Sequence, residues 1–175
     1  TERSLAWLPR QTIEYLEAFY GMATKAAEDT DGFIDKFMGD GVMTLHGLRL
    51  REGQDICCHP VQAVESALKL LRLASAFNQG KPHELRIDLR VGIASGELTA
   101  GVFSNNGRMI FTALGVRVNM AARLQQKAEP GSVLVSHELA ERLEKDFQSP
   151  FRFNSCGKFR LKGFAGSIVA CKLEG

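Results

Sequence analysis

The segment FIDKFMGDGVMTL, residues 33–45, places two short apolar runs on either side of Gly39-Asp40-Gly41. Short runs of this kind around an Asp-Gly pair are typical of a β-hairpin, because these turn residues tolerate the backbone angles of a tight reversal. A hairpin requires antiparallel pairing of its strands. The segment therefore predicts an antiparallel element in the fold, with Asp40 at its exposed tip.

Helical and strand patterns alternate around this hairpin. Apolar residues recur at the spacing of one helix face in residues 9–28 and 60–78, whereas residues 85–94 alternate between apolar and polar side chains as a strand does. The same reading predicts helices at 118–127 and 137–147, and strands at 98–103, 109–114, 132–136, 151–161 and 167–173. These elements predict a single α+β domain over residues 1–175.

The composition excludes several other classes of protein. The chain has 175 residues, of which 45% are apolar and 24% are charged, as in ordinary globular domains. No apolar run is long enough to span a membrane, and a net charge of +2 is too small to indicate a nucleic-acid partner. The four cysteines lack zinc-ligand spacing, so we expect reduced thiols in a cytoplasmic domain.

Three clusters of residues can carry chemistry. At the hairpin tip, the carboxylate of Asp40 can hold a hard cation, although Asp-Gly is also a common turn pair and Lys36 can be an ordinary surface lysine. Asn119 and Arg123 share one helix face and can hold a sugar oxygen and a phosphate, although a solvent-exposed face gives the same pattern. Lys162, beside a glycine at a strand end, can meet a phosphate as a point charge. Spacing alone indicates an α+β domain that can bind a nucleotide.

Taken in order, these segments resemble the catalytic domain of the class III nucleotidyl cyclases, the adenylyl and guanylyl cyclases. The resemblance extends from about Thr1 to Leu173. It rests on five segments in the order and at the spacing of the family: FIDKFMGDGVMTLHG (33–47), LRVGIASGELTAGVF (89–103), FTALGVRVNMAARLQ (111–125), PGSVLVS (130–136) and FRLKGF (159–164). It implies a ferredoxin-like βαββαβ palm with an antiparallel sheet and C-terminal β-α-β additions.

The resemblance also implies an activity, that of a phosphorus–oxygen lyase. The ribose 3′-hydroxyl of ATP attacks the α-phosphorus to give 3′,5′-cyclic AMP and pyrophosphate, assisted by two Mg²⁺ or Mn²⁺ ions per site. Asp40 matches the second of the two metal-binding aspartates. Asn119 matches the asparagine that orients the ribose, and Arg123 matches the arginine that stabilises phosphate charge in the transition state. Lys162 matches the lysine that binds the terminal phosphates.

Lys36 and Thr112 match the pair of residues that reads the base. In the family, lysine with threonine or aspartate selects adenine, whereas guanylyl cyclases usually carry glutamate and cysteine. The chemistry agrees, because adenine N1 accepts a hydrogen bond from an ammonium group and its 6-amino group donates one to a hydroxyl oxygen. The resemblance therefore implies an adenylyl cyclase. The alternatives are a guanylyl cyclase and a non-catalytic cyclase-homology module that binds nucleotide or a partner and signals through dimerisation.

The family's active site is shared by two protomers, so a chain that carries both sets of residues implies a head-to-tail homodimer with ATP as substrate. We expect a fused sensor or regulatory domain outside this chain, and any membrane attachment would also lie there. The first metal-binding aspartate and its strand have no match in residues 1–175, and we expect them upstream of Thr1. Asp31 and Asp35 are not given that role. Asp31 belongs to the turn before the strand, and alternation in the strand predicts that Asp35 faces away from Lys36.

Two segments depart from the family pattern. Val116-Arg117 follows Gly115, where many members carry an aspartate after the glycine, but the matched catalytic positions remain. The segment 49–60 is longer and richer in charge than the usual connection. It is interpreted as a solvated loop, with a regulatory surface as the alternative.

Overall fold

A computed structural model describes residues 9–48, 59–105, 107–145, 150–160, 162–163 and 166–174. Its helices are α1 (Pro9–Glu28), α2 (His59–Asn78), α3 (Val116–Lys127) and α4 (His137–Lys145), with a short 3-10 helix at His83–Leu85. Its strands are β1 (Phe33–Met38), β2 (Gly41–Leu45), β3 (Arg90–Ile93), β4 (Thr99–Asn105), β5 (Arg108–Leu114), β6 (Ser132–Ser136), β7 (Phe153–Arg160) and β8 (Ser167–Leu173). Helices mixed with mainly antiparallel strands confirm the α+β class.

The chain forms two compact units, residues 1–89 and 90–175. In the first unit, α1 packs against α2 and against the antiparallel β1–β2 hairpin. The core of this unit is built from one large aromatic side chain, small residues that allow close helix packing, and one branched residue: Phe19, Ala23, Ala74 and Ile87. The helix predicted at 9–28 has those bounds, although Ile13 on its apolar face is 56% exposed.

The second unit contains a four-stranded sheet in the order β3-β6-β8-β7 and a separate β4–β5 hairpin. β3 pairs with β6 in parallel, whereas the other pairs are antiparallel. Every residue of β6 is buried. α3 packs on β3 and β6, and its buried residues Met120 and Leu124 meet Leu134 of β6 and Ala170 of β8 in one cluster. α4 packs on β6 and β8.

The strand predicted at 85–94 forms only at 90–93. The side chain of Asn78, at the end of α2, binds the backbone of Ile87 from both sides. Asn78 Nδ2 donates to the carbonyl oxygen of Ile87 at 2.9 Å, and Ile87 N donates to Asn78 Oδ1 at 2.7 Å. The N–H and C=O groups of Ile87 are therefore bound to a side chain and not to a neighbouring strand. The residues before Arg90 show the apolar–polar alternation of a strand in sequence but do not pair in a sheet.

The prediction that Asp35 faces away from Lys36 is wrong. The β1–β2 register shifts between Ile34 and Lys36, which marks a β-bulge. A bulge interrupts the alternation of side chains along a strand. The Nζ atom of Lys36 consequently lies 3.1 Å from Oδ2 of Asp35, whose side chain is fully buried.

The expectation that the cysteines are reduced is wrong for Cys171, a buried residue of β8 that is disulfide-bonded. The segment 49–58, which includes Cys57 and Cys58, lies outside the described residues. The single-domain prediction and the strand expected upstream of Thr1 stay predictions. In the part of the chain that the structure describes, no helix is both long enough and apolar enough to cross a membrane.

His46 follows β2 directly and packs tightly against the chain after α1. A Cβ atom added at Gly32 would lie only 2.7 Å from Cε1 of His46. Burial of the imidazole lowers the pKa of His46 to about 4, opposed in part by the nearby backbone of Thr30. The positive charge of His59 lowers this pKa further, and the carboxylate of Asp31 raises it. His46 is therefore neutral in the folded protein at pH 7.

We predict that the folded protein loses stability as the pH falls from 6.5 towards 4. In this interval the unfolded chain binds a proton at His46 that the folded chain does not bind, so protonation favours unfolding. The pKa difference between 6.5 and about 4 corresponds to about 3 kcal/mol at the acid end. Urea denaturation at several pH values would measure the loss, and His46→Gln should reduce it. The same slope in His46→Gln as in wild type would contradict the prediction, and His83→Gln, at an exposed histidine, is the control.

Candidate active site

The β1–β2 hairpin holds Asp40 at its tip. Met38 pairs with Gly41, so Gly39 and Asp40 form the connecting loop, and Gly39 has a φ of +62° that favours glycine. The hydroxyl of Tyr20 on α1 donates to the carbonyl oxygen of Gly39 at 2.7 Å. The Tyr20 ring also packs on Phe37, with ring centroids 4.1 Å apart. The tip is thus fastened to α1, while Asp40 itself is exposed.

Lys36 lies on β1 within the same hairpin, and its side chain is 39% exposed. The buried carboxylate of Asp35 holds its ammonium group at 3.1 Å. This contact restricts a side chain that would otherwise sample many rotamers. The bulge that produces the contact was not foreseen from the sequence, because the apolar pattern of residues 33–38 carries no signal for it.

Thr112 lies near the end of β5 and is 8% exposed. It stands opposite Gly101 of β4 in the hairpin register. After β5 the chain turns at Gly115, whose φ of +151° favours glycine, and α3 begins at the next residue. A backbone hydrogen bond from Asn119 N to Gly115 O, 3.3 Å long, closes the first turn of α3.

Asn119 and Arg123 are both on α3, one helical turn apart, as the sequence predicted. Asn119 is exposed, and Arg123 is partly buried. The Arg123 guanidinium donates to Oε1 of Gln126 at 2.9 Å. An amide and a guanidinium on the same side of one helix can contact two neighbouring groups of one ligand. Lys162 is exposed in the turn between β7 and β8.

The six predicted site residues therefore fall into three groups. Lys36 and Asp40 share the β1–β2 hairpin of the first unit. Thr112, Asn119 and Arg123 lie on the consecutive elements β5 and α3 of the second unit, and the turn that follows β7 carries Lys162. Sequence reasoning overlooked Tyr20, which fixes the hairpin tip and whose position on α1 follows the ordinary apolar pattern of that helix.

Among the described residues, no group of three or more His, Cys, Asp or Glu side chains is arranged to hold a metal ion. Asp40 offers one exposed carboxylate between two glycines, and oxygen donors of this kind suit Mg²⁺. Mg²⁺ is commonly held by one or two carboxylates, with water and substrate phosphates completing its coordination. Asp40 is suited to be one carboxylate ligand of such a Mg²⁺ site.

The position of α3 depends on a glycine of β3. A Cβ atom added at Gly92 would collide with backbone atoms of Ala121 and Gln125, which belong to α3. The helix axis can lie this close to the strand because Gly92 has no side chain. Gly92 therefore sets the depth at which α3, and with it Asn119 and Arg123, packs on the sheet.

The chain matches the family described as "Adenylate and Guanylate cyclase catalytic domain" over residues 2–174. It is 30% identical over 114 residues to the adenylate cyclase, terminal-differentiation specific, of Dictyostelium discoideum, which covers 65% of this chain and 5% of that protein. It is 31% identical over 156 residues to the receptor-type guanylate cyclase gcy-20 of Caenorhabditis elegans, which covers 89% of this chain and 14% of that protein.

A solved structure shows the same fold. The crystal structure of the adenylyl cyclase CyaB from P. aeruginosa matches with a TM-score of 0.85 at 27% sequence identity, and the match covers 99% of this chain and 87% of that chain. The fold implied by the sequence resemblance is confirmed by this similarity. The relatives include both adenylate and guanylate cyclases, so similarity alone does not determine the base that is recognised.

We predict that Gly92→Ala destabilises the protein by about 3 kcal/mol or more, because the added methyl group overpacks a contact between two backbones that cannot rotate away. Gly101→Ala is the matched control, since a Cβ atom at that strand glycine has no neighbour within 4 Å. Urea denaturation midpoints of the two variants provide the comparison. Equal midpoints would show that α3 can move away from β3 at little cost.

Proposed function

Because the chain belongs to the adenylate and guanylate cyclase catalytic domain family over residues 2–174, we propose that it is an adenylyl cyclase. In the proposed reaction, the ribose 3′-oxygen of ATP forms a bond to the α-phosphorus while the bond from that phosphorus to the β-phosphate oxygen breaks. The products are 3′,5′-cyclic AMP and pyrophosphate, and the 3′-hydroxyl loses its proton. The choice of ATP rests on Lys36 and Thr112, which the resemblance to the family matches to the two base-reading positions.

The hydrogen-bonding capacity of these two side chains favours adenine. The ammonium group of Lys36 is a donor, and adenine N1 is an acceptor, whereas guanine N1 carries a hydrogen and would meet the ammonium donor to donor. The hydroxyl of Thr112 can accept from the 6-amino group of adenine. The buried carboxylate of Asp35, 3.1 Å from the Lys36 ammonium, supports the proposal because it orients the donor before the base arrives.

The remaining site residues are proposed to act on the ribose and the phosphates. Asn119 orients the ribose, Arg123 stabilises charge at the α-phosphate in the transition state, and Lys162 binds the terminal phosphates. The positive charges of Arg123 and Lys162 suit a tetra-anionic nucleotide, and catalysis in such a site comes mainly from positioning and from charge stabilisation. Two Mg²⁺ or Mn²⁺ ions, when bound, supply activation of the 3′-hydroxyl and neutralisation of the triphosphate, with Asp40 as one of the ligands.

A head-to-tail homodimer is part of the proposal. Several apolar side chains of the β4–β5 hairpin and the residue that begins α3 are more than half exposed: Val102, Met109, Ile110, Leu114 and Val116. Soluble proteins rarely expose so many large apolar residues on one element unless a partner covers them. We infer that a second copy covers this hairpin, and that each site combines Asp40 of one copy with the base, ribose and phosphate residues of the other.

The full-length protein is proposed to be larger than this chain, because the chain spans only 5% and 14% of the lengths of the two relatives described above. We propose that a fused sensor or regulatory domain controls the activity and that the catalytic domain acts in the cytoplasm, where ATP is abundant. There are two alternative functions. One is a guanylyl cyclase, which the similarity to gcy-20 favours, and the other is a non-catalytic cyclase-homology module.

We predict that the protein, expressed with its natural upstream sequence, produces cyclic AMP from ATP in the presence of Mg²⁺ or Mn²⁺. Asp40→Ala should reduce the rate at least 100-fold, because one metal-binding carboxylate is lost. Product analysis by chromatography, with ATP and GTP supplied separately, provides the measurement. Cyclic GMP as the main product would establish the guanylyl alternative, and no product from a folded dimer would favour the non-catalytic module.

The shared site gives this assay an internal control. Asp40→Ala and Asn119→Ala should each be nearly inactive alone, but mixed dimers should contain one site in which both residues are intact. Mixing the two variants should therefore restore part of the activity. No recovery in mixtures that demonstrably exchange subunits would contradict the head-to-tail arrangement.

We predict that the double substitution Lys36→Glu and Thr112→Cys shifts the preference from ATP towards GTP. A carboxylate at position 36 can accept from guanine N1–H and from its 2-amino group, while it meets only an acceptor at adenine N1. The ratio of kcat/KM for ATP to that for GTP should fall by at least 100-fold, because unpaired buried polar groups discriminate strongly. An unchanged ratio in a folded variant would contradict the base-reading assignment.

A further inference from the structure

Arg117 is the second residue of α3, a position where a positive charge is normally unfavourable. The first turn of a helix carries unpaired N–H groups and the positive end of the helix dipole. α3 has no acidic residue in its first turn, and its N-cap residue, Gly115, makes no side-chain capping bond. The charge of Arg117 is therefore compensated from elsewhere in the second unit.

The compensation comes from the first turn of α4. Nη1 of Arg117 lies 2.5 Å from Oε2 of Glu138, and the same Nη1 is 3.8 Å from the sulfur of Met120. The Arg117 side chain is only 28% exposed, whereas Glu138 is 64% exposed. The ion pair thus joins the beginning of α3 to the beginning of α4 at the surface of the unit.

The stem of Arg117 is also confined by the loop between β3 and β4. A Cβ atom added at Gly96 would lie 2.6 Å from Nε and 3.1 Å from Cγ of Arg117, so the side chain lies directly on the backbone of this glycine. The same loop contacts α4, because Nη1 of Arg142 is 3.5 Å from Oγ of Ser95. The loop, α3 and α4 therefore meet at the Arg117 side chain.

We propose that Arg117 is a positioning residue of the cyclase reaction, which it serves by fixing the first turn of α3 through its ion pair with Glu138. Asn119 lies two residues after Arg117, and Arg123 lies one turn further along the same helix. Because a helix moves as a rigid element, a rotation at its first turn displaces both side chains from the ribose and the α-phosphate. A displacement of about 1 Å can cost about 100-fold in rate.

The proposal rests on the proposed function but makes a separate claim. An ion pair with an exposed carboxylate contributes little to stability, so its loss should leave the thermal midpoint nearly unchanged. If its role is positioning, the loss should lower kcat while KM for ATP changes little, because the residues proposed to bind the base and the terminal phosphates, Lys36, Thr112 and Lys162, lie outside α3.

The experiment compares Arg117→Gln, Glu138→Gln and the charge-reversed pair Arg117→Glu with Glu138→Arg, in the protein that carries its natural upstream sequence. Each single substitution should lower kcat for ATP about tenfold with KM changed less than about twofold, and the reversed pair should recover part of the loss. Glu129→Gln is the matched control. It breaks another ion pair of this unit, that of Glu129 with Lys172 at 2.6 Å, beyond the opposite end of α3.

Three kinetic outcomes would overturn the proposal. The first is wild-type kinetics in Glu138→Gln. The second is an increase of KM in Arg117→Gln alone, which would show that Arg117 contacts the phosphates directly. The third is an equal loss of kcat in Glu129→Gln.

Hydrogen exchange of the α3 amides separates this proposal from the function itself. Glu138→Gln should accelerate exchange in the first turns of α3, including the amide of Met120, whereas Glu129→Gln should leave those amides unchanged. If the wild-type protein makes no cyclic nucleotide, the proposed function fails, and faster exchange in Glu138→Gln alone would still support the positioning of α3 by the ion pair. Unchanged exchange would overturn that positioning.

Discussion

The close packing of α3 on β3 is the contact on which the second unit depends. Gly92 leaves no room for a side chain between the strand and the backbone of Ala121 and Gln125. This depth lets Met120 and Leu124 reach the strand layer, where they pack with Leu134 and Ala170. A change of side-chain rotamer cannot relieve a contact between two backbones. The position of α3 on the sheet is therefore restricted more tightly than it would be by the packing of leucine side chains alone. Asn119 and Arg123 lie on the polar face of the same helix, so their positions are fixed together with that of the helix.

The hairpin of the first unit is held by a different kind of contact. Its tip is fastened by a single tyrosine: the hydroxyl of Tyr20 binds the carbonyl oxygen of Gly39, and its ring packs on Phe37. A two-stranded hairpin has little stability by itself, and α1 provides the surface that the loop needs. The contact with Tyr20 is made by the backbone of Gly39, next to Asp40. The carboxylate of Asp40 is not needed for this contact and can remain exposed.

The sequence predicted the regular elements well and the local irregularities poorly. The helix at 9–28 and the strands at 132–136 and 167–173 have the expected bounds, because each pairs a clear apolar period with nearby turn residues. The wrong predictions concern places where a local feature interrupts the regular backbone pattern. The side chain of Asn78 forms hydrogen bonds with the backbone of Ile87, and β3 begins only at Arg90. A bulge in β1 interrupts the alternation on which the predicted separation of Asp35 and Lys36 depended. The sequence also identified Asn119 and Arg123 as neighbours on one helix, but gave no sign that Arg117 would pair with Glu138.

In the proposed enzyme, the fold and the choice of base depend on different parts of the chain. Apolar periodicity, Gly92 and the turn glycines determine the fold, and the relatives that share it include adenylate and guanylate cyclases alike. In the proposed enzyme, selectivity instead depends on the direction of a few hydrogen bonds, which fold similarity does not encode. The pairing of Lys36 with buried Asp35 is significant for this reason. An ammonium group that is held in place by a buried carboxylate loses less conformational entropy when it meets adenine N1. In the proposed site, an ammonium group fixed in this way acts as a donor and does not match guanine N1, which also presents a donor.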